Sequence, residues 1–120
     1  MQEKVNTVDE LTEKNVKLNQ GEINALKKAI LYLKFECEEE GSLIFSGSEL
    51  INSAFDKLLI NSDSYEREVK FYSRGNSDAQ DFIEKKIKRQ KDFNEGGSEE
   101  KLIDKEYVRC CMHPFKQGEE

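Results

Sequence analysis

Cys110, Cys111 and His113 form the cluster of side chains in this sequence most suited to chemistry. Together with Cys37 they could supply four ligands to zinc. Zinc sites usually separate paired cysteines by two residues, so that both thiolates converge on the metal. Adjacent cysteines on a strand point to opposite faces, and Cys37 fits the apolar face of a predicted helix. We therefore predict buried or exposed thiols at these positions, and neither a metal nor a cofactor.

Nucleophilic catalysis by a cysteine requires a base within hydrogen-bond reach. His113 is the single histidine, and it lies two residues after Cys111. On an extended chain these two side chains would begin roughly 6–7 Å apart, which is too far for direct proton transfer. The sequence also lacks a glycine-rich phosphate loop, a G-x-S-x-G motif and an H-E-x-x-H motif. We predict that the protein is not an enzyme.

Length and charge limit the remaining classes of protein. The chain has 120 residues, 25 acidic and 19 basic, with a formal net charge of −6. This length fits one domain, and seven Phe and four Tyr can supply a small core. The sequence lacks both a run of about 18 apolar residues and a signal peptide, which predicts a cytoplasmic protein with reduced cysteines and no membrane partner. The negative charge disfavours nucleic acid as a partner.

Hydrophobic periodicity predicts a long amphipathic helix over about 22–40. Apolar residues recur at spacings of three and four, and Gly41 is a natural stop. Further helices are predicted over 7–18, 48–60 and 77–94, with Ser48 as the N-cap of the second. Residues 65–72 fit either a helix or a strand.

Two short segments have the composition of strands. Residues 42–45 are predicted to be extended, and residues 107–112 are rich in β-compatible side chains. We predict a mainly α fold, leaving an α+β arrangement open, in a single small domain around the long helix. Residues 1–94 would form its helical core, and residues 95–120 a linker followed by a C-terminal helix or strand packed on the same domain.

Residues 42–58 carry one local resemblance. Ser42-Leu43-Ile44-Phe45, followed by Ser46 to Ile51 and then by Ala54, Phe55 and Leu58, resembles the strand and first helix of ribbon-helix-helix DNA-binding proteins. That resemblance implies a dimer whose strands enter the major groove. The basic cluster at 85–91 would contact phosphates. A small transcriptional regulator is therefore the alternative function.

Acidic and aromatic residues suggest a surface for binding another protein. Four acids lie at the end of the predicted long helix, and three aromatic residues lie among charged residues in 65–72. Complementary charge speeds encounter with a basic partner, and amphipathic aromatic side chains anchor interfaces. We predict a non-enzymatic protein-binding inhibitor or adaptor. Its candidate partner-binding residues are Glu36, Glu38, Glu39, Glu40, Tyr65, Phe71 and Tyr72.

The overall composition carries a second resemblance. The chain is rich in Asn and Lys, with one Pro and no Trp. In size and composition it resembles small acidic phage-encoded inhibitors of host enzymes and antiviral defence systems, including antagonists of defence-associated sirtuins. This resemblance implies a larger host enzyme as the partner, in the host cytoplasm. It leaves the oligomeric state open.

Overall fold

The computed structural model describes residues 10–95 and 104–116, and these form a small, mainly α domain. Within these ranges no residue is in a β-strand, so the mainly α prediction is confirmed. A 3₁₀ turn at Glu40–Ser42 separates the first two helices. In chain order the helices are α1 (Gln20–Phe35), α2 (Leu43–Ser46), α3 (Glu49–Ile60), α4 (Tyr65–Tyr72), α5 (Ser77–Glu95) and α6 (Lys105–Met112).

Local capping sets where several helices begin. The Asn19 side chain accepts the Glu22 N–H at 2.7 Å, and the Glu22 carboxylate accepts the Asn19 N–H at 2.9 Å, which completes a capping box before α1. Ser48 accepts the Ile51 N–H at 3.1 Å, as predicted for the start of α3. Asn76 caps α5 by accepting the Ala79 N–H at 3.0 Å. The predictions of helices over 48–60 and 77–94 are thereby confirmed.

The predicted long helix over 22–40 is too long at its C-terminal end. Helix α1 begins at Gln20 and ends at Phe35, and Glu36 is its C-cap with φ −128°. Residues 37–39 are not helical. Four acids in the last turns would have opposed the negative end of the helix dipole, and ending the helix at Phe35 avoids that cost.

Neither of the two segments with a strand-like composition forms a strand. Residues 42–45 lie in the 3₁₀ turn and α2, where Leu43 is buried. Residues 107–112 lie in α6, which buries Val108, Cys111 and Met112 on one face at helical spacing. Packing of that face against α5 overrides the local preference for strand. The strand on which the ribbon-helix-helix resemblance depends is therefore not formed.

Two other uncertain segments are resolved in part. Residues 65–72 are helical and form α4. The predicted helix over 7–18 is wrong from Glu13 onward, because residues 13–19 are neither helix nor strand. Residues 7–9 of that predicted helix, and residues 96–103 and 117–120 of the predicted C-terminal segment, lie outside the described residues.

Most of the buried apolar side chains form two clusters that meet at Phe115. The larger cluster joins α2, α5 and α6, and the smaller joins α3 and α4. Phe115, which follows α6, packs against both clusters. The larger cluster comprises Leu43, Ala79, Ile83, Ile87, Val108, Cys111 and Met112, and the smaller comprises Phe55, Leu59 and Tyr72. The C-terminal helix thus packs on the same domain as the other helices.

A buried lysine joins α1 to three other helices. Lys34 is 1% exposed, and its ammonium donates to the Ser46 carbonyl at 2.7 Å, to Asn52 Oδ1 at 2.9 Å and to the Cys110 carbonyl at 3.2 Å. Asn52 Nδ2 also donates to the Cys110 carbonyl, at 2.9 Å. Ser46 ends α2 and Cys110 lies in the last turn of α6, where the helix dipole leaves partial negative charge. The cation is therefore stabilised by neutral oxygens.

Lys86 is a second buried lysine whose ammonium donates to backbone carbonyls, here at the end of α1. It is fully buried on α5, and its ammonium donates to the carbonyls of Leu33 at 3.2 Å and Cys37 at 2.5 Å. It also lies 5.3 Å from the centre of the Phe82 ring, within cation–π range. Lys86 thus satisfies the Leu33 carbonyl, one of those that the end of a helix leaves without an intrahelical partner, and a carbonyl of the segment that follows.

A third buried lysine pairs with a carboxylate. Lys27 donates to both oxygens of Glu68, at 2.9 and 2.7 Å, which joins α1 to α4. Ser64 also donates to Glu68. Burial alone would raise the pKa of Glu68, but these hydrogen bonds outweigh burial and lower that pKa below its ordinary value.

Lys34→Met should lower the free energy of unfolding by about 1–3 kcal/mol, because it leaves buried carbonyl oxygens without a donor at nearly unchanged side-chain volume. Urea denaturation measures this change. Lys28→Met, at an exposed position of the same helix, is the matched control and should change stability by less than about 0.5 kcal/mol. Equal effects of the two substitutions would contradict a special role for Lys34.

The same variant tests a pH dependence. Burial lowers the pKa of Lys34 from 10.5 to about 8. Between these values the unfolded chain retains a proton that the folded lysine releases, so this group makes the free energy of unfolding rise with pH, by at most about 1.4 kcal/mol per unit. The stability difference between wild type and Lys34→Met should therefore grow in favour of wild type from pH 8 to 10. A constant difference would show that Lys34 keeps its ordinary pKa.

Candidate protein-binding site

A cleft lined largely by aromatic rings opens where the ends of several helices meet. It has a volume of about 440 Å³ and lies among the C-terminal ends of α1 and α4, the start of α5 and the segment after α6. We call it the aromatic cleft. Its lining residues are Leu31, Phe35, Glu36, Phe71, Tyr72, Asn76, Asp78, Ala79, Phe82 and Phe115.

Phe115 is the centre of the ring cluster. Its ring centroid lies 5.3 Å from that of Phe35, 5.8 Å from that of Phe71 and 5.1 Å from that of Tyr72. The pairs with Phe35 and Tyr72 are edge-to-face, a geometry that aromatic quadrupoles favour. Phe71 remains 50% exposed, so it presents an aromatic surface on a packed support.

Backbone hydrogen bonds hold Phe115 in place. The Lys116 N–H donates to the Tyr72 carbonyl at 3.0 Å, and the Gly75 N–H donates to the same oxygen at 3.3 Å. Gly75 has φ +74°, and a Cβ at this position would lie 2.9 Å from the Lys116 carbonyl oxygen. A glycine is therefore needed for the chain to turn after α4 and still contact the C-terminal segment.

The predicted partner-binding residues divide into two groups. Glu36, Phe71 and Tyr72 meet at the aromatic cleft, although Tyr72 is buried and contributes its ring to the floor. Burial raises the pKa of the Tyr72 hydroxyl to about 12, so Tyr72 is neutral at physiological pH. Tyr65 lies at the other end of α4, and it is 38% exposed and outside the cleft.

The remaining acids lie on the segment after α1. Glu38 and Glu39 are exposed. Glu40 accepts a hydrogen bond from Arg89 Nε at 2.9 Å, and this bond lowers the pKa of Glu40 below its ordinary value. Arg89 also donates to the Glu38 carbonyl at 3.0 Å. Glu40 is thus already paired within the chain.

Sequence reasoning missed Phe35, Phe115 and Asp78 as site residues. Phe35 lies on the apolar face of the predicted long helix, and Phe115 follows Pro114 in the C-terminal segment. Asp78 was one acid among 25 acidic residues. No local pattern distinguishes these residues, because they reach the cleft from three different parts of the chain.

Burial makes the Cys111 thiol a weak nucleophile. Cys111 is fully buried, and burial raises the pKa of its thiol to about 11. His113 Nε2 lies 2.6 Å from Asp56 Oδ1. Among the described residues, no three His, Cys, Asp or Glu side chains are grouped so that they could hold a metal ion.

In the described parts of the chain, no helix has the length and apolarity needed to cross a membrane. Comparison with protein-family models, curated proteins and solved structures finds no match to this chain. What the aromatic cleft can bind therefore follows from the side chains that line it. An aromatic floor beside carboxylates suits a cationic side chain of a partner.

Gly75→Ala should destabilise the fold by about 1–2 kcal/mol, because alanine is strained at this positive φ and its Cβ would clash with the Lys116 carbonyl. Thermal denaturation gives the change. Gly41→Ala is the matched control, because a Cβ at Gly41 meets no atom within 4 Å. A loss at Gly41 as large as that at Gly75 would contradict this account.

Proposed function

We propose that the protein is a non-enzymatic inhibitor or adaptor that occupies the surface of a partner protein through the aromatic cleft. The observation that carries this proposal is the half-exposed Phe71 ring, which packs on Phe115 in a cleft that Glu36 and Asp78 also line. Exposed aromatic residues of this kind are typical interface anchors.

The support beneath Phe71 favours binding. Its ring contacts both Tyr72, at 5.4 Å, and Phe115, at 5.8 Å, and Tyr72 is itself packed against Phe55. A side chain already held by its neighbours loses little conformational entropy when a partner covers it. Phe71 therefore fits the role of a preorganised contact residue.

The charge at the cleft suggests what the partner contributes. Glu36 and Asp78 are exposed at its rim, and Glu38 and Glu39 extend the negative surface. An arginine of the partner could stack its guanidinium on the Phe71 ring and pair with a rim carboxylate. The complementary charge would also speed encounter with a basic surface.

The size of the cleft indicates an anchor within a larger interface. A volume of about 440 Å³ accommodates one or two side chains. A stable protein complex buries about 800 Å² on each partner, so contacts must extend beyond the cleft. The acidic segment at 38–40 adjoins Glu36 and is the natural extension.

The resemblance in size and composition to phage inhibitors leads us to propose the class of partner. It would be a larger host enzyme in the host cytoplasm, such as a defence-associated sirtuin. An inhibitor that covers such an enzyme needs no catalytic group of its own.

Affinity purification from a bacterial lysate containing such an enzyme, at physiological salt, tests the proposal. The tagged wild-type protein should recover one stoichiometric partner. Phe71→Ala and Glu36→Lys should each lower that recovery at least about tenfold, as expected for anchor residues. The matched controls are Tyr32→Ala and Glu66→Lys, at exposed positions outside the cleft, and they should retain the partner.

Circular dichroism of each variant confirms that the helices remain folded. Absence of a stoichiometric partner from the wild-type purification would count against the function. Equal recovery by the cleft variants and the control variants would show that binding does not use the aromatic cleft.

A further inference from the structure

A second and larger cavity lies against the N-terminal half of α1. It has a volume of about 810 Å³, and it is bounded by α1, α3 and the non-helical segment at 13–19. It shares no lining residue with the aromatic cleft. We call it the lysine-rimmed groove. Its lining residues are Lys14, Val16, Lys17, Leu18, Ile23, Leu26, Ile30, Ala54, Lys57, Leu58 and Asn61.

The floor of the groove is an apolar surface between two antiparallel helices. The Asp63 N–H, just after the end of α3, donates to Gln20 Oε1 at the start of α1, at 3.0 Å. Lys34, near the end of α1, donates to Asn52, near the start of α3. The start of α1 therefore faces the end of α3. Helix α1 contributes Ile23, Leu26 and Ile30, and α3 contributes Ala54 and Leu58. Ile23 and Ile30 lie seven residues apart along the helix, which corresponds to about 10 Å or two helical turns.

Several of these apolar side chains remain open to solvent. Leu26 is 44% exposed, Val16 is 75% exposed and Leu18 is 37% exposed. Large apolar side chains grouped in this way are uncommon on a surface that contacts only water. The groove thus has apolar area available for an occupant.

The rim of the groove is basic in a chain of net charge −6. Lys14 and Lys17 lie on the non-helical segment, and Lys57 lies on α3. Lys57 pairs with Glu13 at 3.2 Å, with both side chains largely exposed. Among the described residues, no carboxylate lies within ion-pair distance of Lys14 or Lys17. These two cations are therefore available to an acidic occupant.

We propose that this groove binds an acidic amphipathic helix of a partner protein. Apolar residues spaced three and four apart on that helix would lie along the floor, and its carboxylates would meet the lysines of the rim. Lysines on two different walls suit charges distributed along a helix, whereas a single anionic headgroup requires cations at one point. This site goes beyond the proposed function, which uses the aromatic cleft.

The probe for this test is a labelled synthetic helix with Leu at positions i, i+3, i+4 and i+7 and Glu at the remaining exposed positions. Fluorescence anisotropy with the full chain should show saturable binding that weakens as salt rises. Leu26→Glu should reduce affinity at least about tenfold, as should Lys14→Glu combined with Lys17→Glu. Leu50→Glu and Lys28→Glu, exposed outside the groove, are matched controls and should bind like wild type.

Specific results would overturn the proposal. A probe with Lys in place of Glu that binds equally well would remove the role of charge, and unaltered binding by Leu26→Glu would place the probe elsewhere. A homodimer in light scattering that Leu26→Glu dissociates would identify a second copy as the occupant. Displacement of the probe by laurate, or binding only after removal of residues 2–9, would identify a lipid or the chain's own N-terminal residues.

The two proposed sites can fail separately. Phe71→Ala should leave the affinity for the acidic probe unchanged, because Phe71 does not line the groove. Loss of the purified partner with Phe71→Ala while probe binding persists would support both sites. Loss of probe binding in that variant, with its helices intact, would show that the groove is not independent and would overturn this inference.

Discussion

The buried ammonium of Lys34 is the interaction on which the arrangement of the helices depends. It joins α1 to the C-terminal ends of α2 and α6 and to Asn52 of α3, and every acceptor is a neutral oxygen. A cation removed from water needs compensation, and helix C-termini supply partial negative charge without a second ion to desolvate. Because the donor reaches three elements at once, their relative positions cannot change without leaving a buried charge unsatisfied.

The second buried lysine connects this core to the candidate site. Lys86 donates to the carbonyl of Leu33, in the last turn of α1, and to that of Cys37, two residues after the helix ends. Phe35 can then contact Phe115, while Glu36 stands at the rim of the aromatic cleft. Because α1 ends at Phe35, the Phe35 ring lies in the floor of the aromatic cleft, while Glu36 lies at its rim.

The net charge of the chain does not describe how its charged residues are distributed. Lys27, Lys34 and Lys86 are buried, whereas Lys28 and Lys85 are exposed on the same two helices. Acidic residues flank the aromatic cleft, and lysines flank the larger apolar groove. A net charge of −6 therefore describes neither surface, and each proposed partner is defined by local charge.

The sequence by itself determined the mainly α class and the three longest described helices of the domain, α1, α3 and α5, because capping and hydrophobic periodicity act over a few residues. It also predicted Glu36, Phe71 and Tyr72 as partner-binding residues, and these three line the aromatic cleft. It predicted 42–45 as extended, left the C-terminal segment open between helix and strand, and extended α1 to residue 40. Packing against α5 and the carbonyl contacts of Lys86 decide these segments, and both act between distant residues. Only the tertiary structure brought Phe35, Asp78 and Phe115 to one cleft and buried Lys34, since a burial pattern set by long-range contacts has no local signature.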